Sequence, residues 1–122
     1  MEEIITKSRD ERAGAAMADP DAMRAAFSWE EARALLDVLP DGALNIGYEA
    51  IDRHVVHGHG AEVAMRWIGK DDSRRALTYA DMAALSSRFA NVLKEHGLEP
   101  GDSLFALMGR VPELYAAAIG TL

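Results

Sequence analysis

A chain of 122 residues, 49% of them apolar, holds one domain at most or a part of one, with enough apolar side chains for a core. Its formal net charge of −7 argues against nucleic-acid backbones and anionic membrane surfaces, which select basic patches, and fits a soluble cytoplasmic protein. The absence of cysteine excludes disulfides, thiolate zinc sites and a cysteine nucleophile.

The opening "MEEIITKSRDER" is charged throughout and lacks the apolar stretch of a secretory signal. Apolar runs such as "LFALM" and "LYAAAI" fall far short of the ~20 residues of a membrane span. Residues 1–18 show no clear periodicity and read as an irregular arm. Asp19 and Pro20 then suit the start of a short helix, with proline at the first helical position. "SWEEARALLDVL" predicts a stronger helix, because Ser28 and Glu31 stand at capping-box spacing. Trp29, Ala32, Leu35, Leu36 and Leu39 would share its apolar face, and Pro40, Asp41 and Gly42 would end it. In "NIGYEAIDRHVVHG", Asn45 suits an N-cap, Tyr48, Ile51 and Val55 form an apolar stripe, and Gly58 and Gly60 close the helix.

"EVAMRWIG" alternates like a strand, "GKDDS" turns, and "RRALTY" returns as the second strand of a hairpin. Thr78, with Asp81 three residues on, caps a long helix whose buried or boundary face carries Met82, Leu85, Phe89, Val92, Leu93 and His96, and Gly97 stops it. After the turn "EPGD", the nearly all-apolar "SLFALM" predicts a strand buried on both faces, as in a parallel sheet. Strand, helix and strand in this order make a βαβ unit with a right-handed crossover. Pro112 and Glu113 open a last helix, "PELYAAAIGTL". That helix meets no capping residue or polar tail before Leu122, so the pattern reads as interrupted. The expected fold class is α/β, the incomplete N-terminal part of a larger domain. Residues 1–26 would form an irregular or partly helical arm and residues 27–122 the leading portion of the domain.

His54, His57 and His59 raise the question of a metal site. His54 and His57 could share a helix face, whereas His59 lies beyond Gly58, and no cysteine or carboxylate stands at a recognisable ligand spacing. The expectation is helix-end histidines, His54 and His57 meeting the negative end of the helix dipole. Asp52 and Arg53 read as ties from the helix to neighbouring loops, and Glu30 with Glu31 as a solvated first turn. Arg110, following the expected parallel strand, could meet a phosphate, since open α/β sheets bind ligands at that edge, but it also precedes a helix start, where polar residues are common. Trp29, Trp67 and Phe89 stand at core spacing. The chain contains neither GxxxxGK[ST] nor GxGxxG, and no run dense in Gly, Ser and Thr.

From Phe27 to Leu122 the sequence resembles the start of an AMP-forming acetate–CoA ligase of the adenylate-forming superfamily. "LNIGYEAIDRHV", with Asn45, Tyr48, Asp52, Arg53 and His54, resembles the helix that opens the family's large domain. "VAMRWIGKDDSRRALTYADMAALSSRFANVLKEHGLEPGD" resembles the hairpin and helix that follow, and "SLFALMGRVPELYAAAIGTL" the first core strand and its partner helix. "FSWEEARALL" matches the leading segment more weakly. Gly109 stands where the family often has proline, and the arm before Phe27 has no counterpart.

The resemblance implies a parent ligase that joins a small, acetate-like carboxylic acid to coenzyme A using ATP and Mg²⁺. The family's phosphate loop, nucleotide contacts, acid pocket and catalytic lysine lie downstream of the matched region. The resemblance therefore assigns no catalytic, cofactor-binding or metal-binding residue here. The 122 residues alone are expected to be inactive, to hold none of these cofactors tightly, and to aggregate through exposed apolar surface. Two alternatives remain: a propionyl- or medium-chain acyl-CoA ligase, and a free-standing α/β interaction module without catalysis.

Overall fold

The computed structural model describes residues 8–14, 19–39 and 41–122. The described residues up to Leu36 form one compact unit and Asp37–Leu122 a second.

The first unit holds three short helices: α1 (Arg9–Ala13), α2 (Pro20–Ala26) and α3 (Trp29–Ala34). Each begins at a local cap. Ser8 Oγ accepts from the Glu11 amide at 3.3 Å while Glu11 Oε2 accepts from the Ser8 amide at 2.8 Å, a reciprocal box that the irregular-arm expectation overlooked. Asp19 Oδ1 accepts from Ala22 N–H at 3.0 Å, and Ser28 Oγ from Glu31 N–H at 3.2 Å. Helix α3 stops at Ala34, well short of Leu39, as the chain tightens through Leu35 N–H to Ala32 O. No residue of α2 or α3 is buried, and Trp29, expected in the core, is 82% exposed. Its ring instead meets Phe27 edge to face, with centroids 5.0 Å apart. Helical spacing put the apolar residues on one side of α3, but a stripe is buried only where a second surface covers it. Pro40 lies outside the described residues.

The second unit opens with Asn45, whose Oδ1 accepts from Tyr48 N–H at 2.8 Å. A π-helical turn, Tyr48–Asp52, runs into α4 (Arg53–Val56), and Gly58, at φ 87°, ends the helix in a conformation that glycine adopts freely. Strands β1 (Val63–Ile68) and β2 (Arg74–Thr78) pair antiparallel, with Met65 opposite Leu77 and Trp67 opposite Arg75. A register irregularity between Val63 and Met65 breaks the expected alternation. Thr78 and Asp81 form a complete capping box for α5 (Tyr79–Glu95), and α6 (Pro112–Thr121) packs against that helix. Ile51, Leu77, Met82 and Ala116 form the buried core, flanked by Ala64, Met65, Tyr79, Ala83, Leu85 and Ile119.

The α/β class and the hairpin stand as expected, but the last strand of the βαβ unit does not form among the described residues. The sheet has two strands, β1 and β2. Ser103–Met108 carries no ladder, and every residue in it is exposed. A strand meant for burial on both faces needs neighbours on its edges, and neither strand of the hairpin reaches it.

Candidate functional site

The histidines that dominate the sequence go to three separate partners. The His54 ring stacks on Tyr79, with centroids 4.2 Å apart and planes 25° from parallel. His57 Nε2 lies 3.0 Å from Asp37 Oδ2, and His59 Nδ1 lies 2.7 Å from Glu62 Oε1. Among the described residues, no group of three or more His, Cys, Asp or Glu side chains converges as a metal site.

Arg53 organises this end of α4. Its Nη1 meets Glu49 Oε2 at 2.8 Å, one helical turn earlier, and its Nε lies 3.5 Å from Asp37 Oδ2. Arg53 and His57 therefore share one carboxylate oxygen and draw the segment at Asp37 onto the helix. Glu49 Oε1 is buried without a hydrogen-bond partner among the described residues. Asp52 points elsewhere, and burial raises its carboxyl above the ordinary value of 3.8. It lines an open cleft of about 270 Å³ with Tyr48, Ser86, Ser87, Ile119 and Leu122. The cleft's lining contains no Lys, Arg or His, so it offers no positive charge to a phosphate.

Arg110 is exposed at the end of the unpaired run and the start of α6, not at the edge of a parallel sheet. Its guanidinium has no hydrogen-bond or ion-pair partner among the described residues. Its backbone is held firmly. The Trp67 indole N–H donates to Arg110 O at 2.7 Å, and Arg75 Nη1 meets Glu113 Oε1 at 2.8 Å. Two side chains of the hairpin thus bracket the first turn of α6. Spacing placed Trp67 in the core; it is only partly buried, and its polar atom serves the bracket.

Two further roles escaped the sequence. Asn45 caps its own helix through Oδ1 as expected, but its Nδ2 also donates to Leu122 O at 2.9 Å, at the end of α6. Gly120 lies against α5 so closely that a Cβ there would run into the Ser86 carbonyl oxygen. Its one legible signal was a lone glycine inside an apolar helical pattern, which marks a close approach as readily as a stop.

The described residues form capped helices, a bracketed hairpin and a small core. Residues 52–122 match the family model described as AMP-binding enzyme. The chain belongs to the AMP-binding enzyme family. It is similar to the acetyl-coenzyme A synthetase of Bacillus subtilis, at 39% identity over 98 residues, covering 79% of this chain and 17% of that protein. The acetyl-coenzyme A synthetase of Mycobacterium tuberculosis is 42% identical over 79 residues, covering 64% of this chain and 12% of that protein. A crystal structure of a Brucella canis acyl-CoA synthetase matches 83% of this chain and 18% of its own, with a TM-score of 0.74 and 36% identity. The chain thus spans between 12% and 17% of the length of these curated relatives.

Proposed function

We propose that the chain is the N-terminal scaffold of an AMP-forming acid–CoA ligase that acts on acetate. Residues 27–122 begin its large domain, and residues 1–26 precede it as an arm. The observation that carries the reading is the 39–42% identity to proteins named acetyl-coenzyme A synthetase. In the proposed reaction a carboxylate oxygen bonds to the α-phosphorus of ATP and pyrophosphate leaves. The sulfur of coenzyme A then bonds to the acyl carbon and AMP leaves. Mg²⁺ spreads the developing phosphate charge in the first step. The parent enzyme works in the cytoplasm, in keeping with the acidic composition and with the absence, among the described residues, of any helix long and apolar enough to cross a membrane.

The 122-residue chain by itself is inactive in this proposal. Its cleft has no cationic side chain, and no residue in it is assigned to adenylation. The test exchanges residues 27–122 for the matching segment of the Bacillus subtilis enzyme. The chimera is expected to keep acetate-dependent ATP–pyrophosphate exchange, while the isolated chain shows none. Exchange by the isolated chain would refute its scaffold role. Propionate as the preferred acid of the full-length parent would move the substrate assignment to the longer acid.

A further inference from the structure

Four ionisable side chains meet along the π-helical turn and α4. Asp37 Oδ2 lies 3.0 Å from His57 Nε2 and 3.5 Å from Arg53 Nε, and Arg53 Nη1 lies 2.8 Å from Glu49 Oε2. The cluster thus sets two carboxylates against one guanidinium, and one negative charge stays unbalanced until the His57 ring takes a proton. That charge is not freely solvated, because the Glu49 side chain is 13% exposed and those of Arg53 and Asp37 are 28% and 30% exposed. Attraction between charges strengthens as water is excluded from them. His57 also caps α4 at its C-terminal end, where the backbone carbonyls favour a cation. The neighbouring ionisable groups are committed elsewhere. His54 stacks on Tyr79, His59 pairs with Glu62, Asp52 lines the cleft, and Asp41 Oδ1 accepts from Ala43 N–H at 3.0 Å.

The cluster holds the start of the second unit. Asp37 opens a short strap, Asp37–Leu39, whose last residue lines the cleft beside Tyr48 and Asp52. Leu39 N–H donates to Ala43 O at 3.0 Å and Gly42 N–H to Leu39 O at 2.8 Å, so a turn closes the strap at its far end. The anchor at its near end is the Asp37 carboxylate.

We propose that His57 is a pH-sensitive latch for this strap. Protonated, its ring clamps Asp37 together with Arg53 and keeps Leu39 at the cleft. Neutral, it offers Asp37 only an uncharged hydrogen bond, about half as strong, and Arg53 carries the anchor. Histidine ordinarily changes charge between about pH 5 and 8, so the strap tightens as pH falls through that window and loosens as it rises. The latch is built from contacts within Asp37–His57 and does not depend on the ligase reading.

Amide hydrogen exchange on the full chain at about pH 5.5 and about pH 8 tests the latch, with each rate compared to that of an unfolded peptide at the same pH. The Leu39 and Gly42 amides report on the strap. Their protection should be about threefold higher at the lower pH, the size of effect expected of a partly exposed ion pair. His57→Gln, uncharged at both values, should stay at the high-pH level throughout. His57→Arg, charged at both, should stay at the low-pH level, and Asp37→Asn should abolish the response. Exchange in the middle of α5 should be the same in every variant, which separates a loosened strap from a loosened fold. Protection at Leu39 and Gly42 that ignores pH in the native chain, or a native response that survives in His57→Gln, would overturn the proposal.

Discussion

Gly120 shows how a single missing carbon decides an approach between helices. Ser86 and Ala90 line α5 where Gly120 meets it, and their backbone atoms leave no room for a methyl group. Backbone cannot swing aside as the end of a long side chain can, so the helices must separate to admit one. Gly120→Ala is therefore expected to destabilise the chain by about 1–3 kcal/mol, the usual range for overpacking, despite alanine's better helix propensity. A lowered urea midpoint with unchanged slope would confirm it; an unchanged or raised midpoint would show that α6 can shift at no cost. Asn45 acts at the same scale in the opposite manner. One amide satisfies an orphan N–H at one helix start and an orphan carbonyl at another helix end.

Helix α5 illustrates what an element draws from its own first turn. The backbone N–H and then the hydroxyl of Thr78 hold the Asp81 carboxyl below its ordinary value of 3.8. A folded-state pKa lowered in this way contributes stability above the unfolded value, lost as pH falls through the lowered one. Asp52 has the opposite sign: burial raises its pKa, so its contribution is present below 3.8 and is lost as pH rises through the raised value. Acidification below about pH 4 should therefore loosen the α5 cap. Asp81→Asn should lower the melting temperature at neutral pH and flatten the acid side of the stability curve. A variant with the wild-type acid slope would show that the box is decorative. The hairpin contributes at this scale too, because Trp67 and Arg75 project from paired strands onto the first turn of α6.

Across the whole molecule, order follows burial. The second unit contains the core of Ile51, Leu77, Met82 and Ala116, whereas α2 and α3 bury no residue. Helices of six or seven residues are marginal in water without such burial. Amide hydrogen exchange should therefore be fast through Pro20–Ala34 and slowest in the middle of α5 and α6. Comparable protection in both units would mean that α2 and α3 gain cover from another surface. The same logic explains why an uncapped apolar run can coexist with a formed core: Ser103–Met108 has one face on α6 and lacks a partner at its edges.

The sequence by itself determined the helix starts from Asp19 onward, the hairpin, the α/β class and the resemblance to acid–CoA ligases. Ser28, Thr78, Asp81, Gly97 and the Oδ1 of Asn45 act on atoms within a few residues of themselves, and short-range chemistry is readable in linear order. Only the tertiary structure decided that Trp29 stands exposed, that Ser103–Met108 goes unpaired, that the three histidines take three partners, and that Gly120 is a contact point. Apart from the His59–Glu62 pair, three residues apart, each of these depends on what arrives from elsewhere in the chain. Burial and strand pairing are relations between distant segments, and the residues that supply the second surface are not marked by the periodicity of the first.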